Sequence, residues 1–178
     1  LLFDTAVRDE INLRASGGTN VFKYNISAGF LMDNGIVVNS DYKRLTSRIN
    51  TDYNPSSKLT IGSKVYLSYA SKNGIDESNV LGQMLERPPH FAIFNPDGSY
   101  VPYIVGRRNP YAVAKTDVRK QQDYRLSIQE YLNFTFNKNI EFRTSIQANF
   151  LTRREKSYRP APQLSTNEFT TGRDYTTL

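Results

Sequence analysis

From Phe22 the chain places Phe22, Tyr24, Ile26, Ala28, Phe30 and Met32 on one side and Lys23, Asn25, Ser27 and Gly29 on the other. That is alternation with period two, the mark of a β-strand with one apolar and one polar face. The pattern returns with Leu59, Ile61, Val65, Leu67 and Tyr69 against Thr60, Gly62, Lys64 and Ser68. It returns again with Ile140, Phe142, Ile146, Ala148 and Phe150 against Glu141, Arg143, Gln147 and Asn149. A further copy sets Leu126, Ile128, Leu132, Phe134 and Phe136 against Ser127, Gln129, Asn133 and Thr135, with Glu130 intruding on the apolar side. Weaker copies carry Leu45, Ile49 and Tyr53, and Val7, Ile11, Leu13 and Ala15. The alternation predicts strands near 8–16, 21–32, 42–53, 58–71, 124–137 and 140–153.

The connections alternate in length. Gly17-Gly18-Thr19-Asn20, Asn54-Pro55-Ser56-Ser57 and Asn137-Lys138-Asn139 are tight turns. Between them come a longer loop opened by Asp33-Asn34-Gly35, a very long connection over 72–123, and a polar stretch after Arg154. Short turns at one end of a sheet and long loops at the other are the habit of an outer-membrane barrel. Lipid gives the peptide groups no hydrogen-bond partner, so only helices and closed sheets cross it. The expected fold is therefore all-β: antiparallel up-and-down strands forming part of a large transmembrane β-barrel, with a long loop carrying a short helix. The chain reads as a single segment of a barrel domain, 1–178, with no plug domain. A soluble secreted β-sandwich that binds carbohydrate or protein also alternates and is the alternative. Strands of 12 residues or more are long for a sandwich, where ~5–6 is usual.

In the long connection, Asp76 or Ser78 is expected to cap a helix running to Glu86, with Leu81, Met84 and Leu85 on one side and Pro88-Pro89 ending it. Phe91-Ala92-Ile93-Phe94 and the turn Asn95-Pro96-Asp97-Gly98 follow, then an extended stretch from Tyr100 to Val105.

Composition narrows the function. The 178 residues hold Tyr 12 and Phe 10 with Trp 0, an aromatic mixture that suits strands. Cys is absent and His90 is the one histidine, so thiolate or two-histidine metal sites are excluded. No phosphate loop or nucleophile elbow occurs, and neither catalysis nor a cofactor is expected. Lys+Arg 23 against Asp+Glu 17 gives +6, but the basic residues are scattered and no nucleic-acid motif appears. Tyr100, Tyr103, Arg107, Arg108 and Tyr111 are the candidate ligand-binding residues. They lie in the long loop, where function concentrates. Tyr offers a flat apolar face with a hydroxyl, and Arg a planar fork for carboxylate or hydroxyl groups. Packing of the loop against the barrel wall or a lid is the other role open to them. Lys23, Arg48, Lys64 and Arg143, on the polar face, are candidates to line a solute path. Phe22, Tyr53, Phe136 and Phe142, near the short turns, are candidates for an aromatic girdle at a membrane interface.

The ordered succession of several segments resembles SusC/RagA-type TonB-linked outer-membrane proteins. These are Asp33-Asn34-Gly35-Ile36-Val37, Ser40-Asp41-Tyr42-Lys43-Arg44, Leu59-Thr60-Ile61-Gly62, Arg87-Pro88-Pro89, Asn95-Pro96-Asp97-Gly98-Ser99-Tyr100, Asn109-Pro110 and Ile140-Glu141-Phe142-Arg143. The resemblance implies a nutrient transporter of the outer membrane of Bacteroidetes, with a barrel of roughly 22 strands and an N-terminal plug. It implies a SusD-like surface lipoprotein as lid, TonB as energy source, outer-membrane lipid around the barrel, and oligosaccharides or peptides as substrates. This chain would supply an internal piece of that barrel.

Overall fold

The computed structural model describes residues 3–74, 77–87, 90–159 and 173–177. Six long strands lie side by side: β1 (Arg8–Gly18), β2 (Phe22–Asn34), β3 (Asp41–Ser56), β4 (Leu59–Gly74), β7 (Val118–Asn137) and β8 (Ile140–Arg159). A short β9 (Arg173–Thr177) follows β8. They form one antiparallel sheet in the order β1-β2-β3-β4-β7-β8-β9. Among the described residues the sheet is an up-and-down meander, with the connection from β4 to β7 interrupting it. That connection holds the helix α1 (Glu77–Leu85), the short strands β5 (Tyr103–Ile104) and β6 (Arg107–Arg108), and the helix α2 (Pro110–Thr116).

The register lines up the apolar faces of the six long strands, with Ser47 the one polar member of the next two rows. Leu13, Ala28, Ser47, Leu67, Leu126 and Phe150 form one cross-sheet row. Ala15, Ile26, Ile49, Val65, Ile128 and Ala148 form the next. A slip of one residue would turn a whole strand's apolar set to the other side, so this alignment fixes the pairing. Glu130 keeps its place on the apolar face, where it accepts a 2.6 Å hydrogen bond from Ser63 Oγ in the same row.

No second layer covers that face among the described residues. Leu13 is 68% exposed, Phe150 59% and Ile146 74%. A sandwich would bury these side chains against a facing sheet, and each one left in water forfeits ~1.5–3 kcal/mol. On β8 the apolar positions run from Ile140 to Phe150, ~34 Å along the strand. At a tilt of ~42° that spans ~25 Å, the height of the lipid-facing band of an outer-membrane barrel.

The tight turns carry their own chemistry. Gly18 sits at φ 144, and a Cβ there would collide with the Phe22 carbonyl oxygen. Thr19 Oγ1 accepts from the N–H groups of Val21 and Phe22 at 3.2 Å each. The expected turn at Asn54-Pro55-Ser56-Ser57 is different. β3 runs on through a bulge between Tyr53 and Ser56, and the reversal falls at Ser57-Lys58. Pro55 has no N–H to give a ladder, and a bulge tolerates it.

The strands also outrun the alternation at the other end, so the connection spans 75–117. Above the row of Tyr69 and Tyr124, outward positions such as Lys43, Gln122 and Arg154 are as polar as inward ones such as Lys72, Gln121 and Glu155. The ladder continues while the two-face contrast vanishes. For a lipid-facing sheet, Ile128→Arg should destabilise the full-length barrel by about 2–4 kcal/mol, while Gln129→Arg, one residue on but facing inward, should cost far less. Urea unfolding of the protein in lipid vesicles reads both; equal costs would mean that the apolar face does not meet hydrocarbon.

Candidate functional site

Two features gather the chemistry-bearing side chains: a cap on the long connection and the polar face of the sheet. The cap has a small core of its own. Val37 from the β2–β3 loop, Val80 from α1 and Ala114 from α2 are buried together, with Leu81, Met84 and Tyr111 packed on them. Leu85 does not join that side of the helix, as the sequence spacing suggested: it is 89% exposed. Its position at the last residue of α1 lets the chain turn it away from the core. α1 begins at Glu77, so Ser78 lies inside the helix; Asp76, Pro88 and Pro89 lie outside the described residues. Asn39, at φ 60, ties the β2–β3 loop to α2 by donating from Nδ2 to the Ala114 carbonyl (2.8 Å).

The organiser of the cap is Asn109, fully buried and not singled out as a site by the sequence pattern. Its Oδ1 caps α2 by accepting from the N–H groups of Tyr111 (3.0 Å) and Ala112 (3.4 Å). Its Nδ2 donates to the carbonyls of Ile93 (3.0 Å) and Val101 (2.9 Å). One amide therefore pins a helix start to a hairpin. The local signal was there: Asn followed by Pro is the pairing of an N-cap with a first-turn proline.

The five candidate ligand residues divide. Tyr100 and Tyr111 come together with Phe94 in an aromatic triad, ring centroids 5.3, 5.6 and 5.9 Å apart. Phe94 is about half exposed, so the triad presents an aromatic surface. Lys115 Nζ sits 5.9 Å from the Tyr111 ring. Arg107 is exposed and pairs with Glu86 (3.3 Å). Arg108 is mostly buried, and its Nη2 donates to both carboxylate oxygens of Asp117 at 2.7 and 2.8 Å. That bond clamps the β5–β6 hairpin to the end of α2. Tyr103 lies across from Arg108 in the hairpin, and its hydroxyl is buried with no partner among the described residues. So Arg107 is exposed and Tyr100 and Tyr111 are half-buried beneath the edge of the triad that Phe94 presents, while Tyr103 and Arg108 are built into the cap. Below them, Asp97 closes the Asn95–Ser99 turn. The Ser99 hydroxyl and backbone N–H donate to its carboxylate and hold it below the usual carboxylate pKa. The stability this adds is full above the ordinary carboxylate pKa and is lost as pH falls through the lowered value.

The polar face carries a second cluster. Tyr131 donates its hydroxyl proton to Asp52, and Lys64 and Arg143 lie 5.3 and 5.4 Å from its ring. Lys23 is in register beside Asp52, and Arg48 covers the Tyr66 ring at 5.3 Å. The Tyr131 ring lies over Gly62, its direct partner across β4 and β7. A Cβ on Gly62 would run into that ring. The four cations named from the sequence thus lie on one wall, and each but Lys23 is braced on a tyrosine.

No protein-family profile matches the chain. Two TonB-dependent receptors of Formosa agariphila are each 28% identical to it, over 154 and 157 residues. The matches cover 86% and 81% of this chain but 15% and 16% of those receptors, so the chain spans about a sixth of their length. Among solved structures, the RagAB peptide transporter superposes with a TM-score of 0.72 at 20% identity, covering 93% of this chain and 20% of that one. The RagAB peptide importer in its closed-closed state gives 0.68 at 19% identity, with the same coverage. The chain is a β-barrel segment of the outer membrane. It is similar to a part of TonB-dependent receptors.

In the full-length protein, Asn109→Ala should loosen the cap by about 2 kcal/mol, through loss of the helix cap and of the Nδ2 bonds to the Ile93 and Val101 carbonyls. Hydrogen exchange of the α2 amides is the readout, and unchanged protection would contradict the role. Gly62→Ala should displace Tyr131 and free Asp52, seen as a lost Tyr131 hydroxyl proton signal in NMR; a retained signal would mean the ring does not depend on that gap.

Proposed function

We infer that this chain is an internal barrel segment of a TonB-driven outer-membrane transporter that takes up oligosaccharides or peptides. The observation that carries the reading is the one-layer sheet, apolar on one face over a membrane's thickness and lined with charge and amide groups on the other. Such a wall separates lipid from an aqueous lumen. Passage then depends on binding and gating, with no bond made or broken in the solute. The barrel domain would continue on both sides, with neighbouring strands pairing to the outer edges of β1 and β9. A plug and the contact with TonB would belong to other parts of the protein.

The cap stands at the long-loop end, which we assign to the cell exterior. There it would shape the entrance and meet a SusD-like lipoprotein lid. Tyr100, Tyr111 and Arg107 would touch an arriving solute. The aromatic triad suits a sugar ring or a peptide side chain, and the Arg107 fork suits a carboxylate or hydroxyl pair. Tyr103 and Arg108 would serve by holding that surface in shape. RagAB is described as a peptide transporter, which favours peptides among the two substrate classes.

The test is uptake by the full-length protein. A Tyr100→Ala/Tyr111→Ala variant should bind its substrate roughly 10-fold more weakly, at ~0.5–1.5 kcal/mol per lost aromatic contact, with barrel assembly intact. Calorimetric titration of candidate peptides and oligosaccharides gives the affinity and the class together. An affinity unchanged by the double variant would remove the triad from the solute path.

A further inference from the structure

On the polar face, the row at mid-height reads Arg14, Ser27, Arg48, Tyr66, Ser127 and Asn149 from β1 to β8. Arg14 and Arg48 flank Ser27, two strand spacings or ~10 Å apart at the backbone. Both are exposed, and the Arg48 guanidinium lies 5.3 Å from the centre of the Tyr66 ring. One row up, Gly29 stands between Asn12 and Thr46. Ser27 and Gly29 are the smallest inward residues of β2, and they follow one another, so the wall is hollowed there. The hollow is a notch of about 300 Å³ whose lining includes Asn12, Arg14, Gly29, Thr46, Arg48 and Tyr66. Glycine keeps it open: a Cβ at Gly29 would lie 2.6 Å from Asn12 Oδ1 and 2.9 Å from Thr46 Oγ1.

Charge sets this notch apart. Among the described residues, neither Arg14 nor Arg48 has a carboxylate within ion-pair distance. Their row and the rows directly above and below it add Lys64 and Arg125, and no acid. The nearest acids on this face lie one row further out, and each is engaged elsewhere. Below, Asp52 accepts from the Tyr131 hydroxyl. Above, Glu10 accepts from Asn12 Nδ2 (3.0 Å) and lies 3.8 Å from Arg8, while Asp123 is bonded to Arg153 at 2.8 Å. The middle of the wall is therefore a band of positive potential, which draws anions toward it.

We propose that the notch between Arg14 and Arg48 binds the carboxylate of an acidic solute, carried by a peptide or by a uronic acid. Two guanidiniums on either side of one hollow offer planar forks to the carboxylate oxygens. The side-chain oxygens of Asn12 and Thr46, which lean over Gly29 at the upper lip, can accept from a hydroxyl or N–H next to that carboxylate. The Thr46 hydroxyl keeps its place by donating to the Gly29 carbonyl (3.3 Å). A neutral solute would find the same hollow but would leave both charges without a partner. The site names the charge of the solute in the transporter reading and rests on that reading, because the polar face must line the solute path.

The experiment titrates the full-length protein in detergent, by calorimetry, with two pairs of probes. One pair is a glutamate-bearing peptide and its glutamine counterpart; the other is an oligogalacturonate and the neutral galactose oligomer. The native protein should prefer the acid in one pair, which identifies the source of the carboxylate, and the preference should shrink as salt is added. An Arg14→Gln/Arg48→Gln variant should reduce it roughly 10-fold, at about threefold for each exposed charge pair. An Arg14→Lys/Arg48→Lys variant should keep most of it, which separates loss of charge from damage to the fold. Arg125→Gln, on the same wall but outside the notch, should change it by about twofold at most. A preference that survives the glutamine variant would overturn the proposal; a lowered melting temperature alongside it would give the arginines to a carboxylate of the protein's own plug. An equal loss in Arg125→Gln would also overturn it, making the attraction a diffuse property of the wall. Equal native affinity for acidic and neutral probes would end the proposal and leave the transporter reading standing, whereas binding of none of the four would contradict that reading itself.

Discussion

A strand that crosses lipid must find partners for every backbone N–H and C=O within its own sheet, because hydrocarbon offers none. That constraint governs this chain. It explains why strands of 13 to 20 residues stand in one continuous antiparallel ladder from β2 to β8. It also explains why side chains divide so cleanly between faces. The backbone makes no concession to either environment, so the side chains alone distinguish lipid from water. The apolar face does for this molecule what a core does for a soluble domain, with the membrane supplying the second layer.

The polar wall follows the opposite rule. Its charges are held in shape by contact with one another: Asp52 on Tyr131, Lys64 and Arg143 against the same ring, Arg153 on Asp123. A wall organised this way keeps its cations extended beside tyrosine faces. Gly62 shows how tightly backbone and side chain are coupled there, since the ring of Tyr131 occupies the space a Cβ would take. The cap differs again. It is a small soluble-type unit with a buried core of Val37, Val80 and Ala114, and one amide, Asn109, serving four backbone groups.

How much of this was legible in the sequence depends on which physical rule was at work. The strands between the aromatic rows declare themselves because lipid and water impose opposite demands on alternate residues. Phe22, Ile26 and Phe30 against Lys23, Asn25 and Ser27 are readable at a glance. Above Tyr124 both faces are wet, the contrast disappears, and the first residues of β7 looked like loop. Asn54-Pro55-Ser56-Ser57 has the composition of a tight turn, yet β3 carries through it by a bulge. In the cap, residue types in a long loop name candidates, while the roles within it depend on contacts. Nothing in the order Tyr100, Tyr103, Arg107, Arg108, Tyr111 tells that two of the tyrosines would join Phe94 and that Arg108 would be spent on Asp117.

The central claim is that neighbouring residues of one strand face different solvents, and a pair of spin labels tests it most directly. Ala148→Cys and Asn149→Cys variants of the full-length protein, in a background without other cysteines, would be labelled and reconstituted in lipid vesicles. The label at 148 should be relaxed by dissolved oxygen, which concentrates in hydrocarbon, and shielded from a water-soluble nickel complex. The label at 149 should show the reverse. Equal access of the nickel complex to both positions would contradict the account.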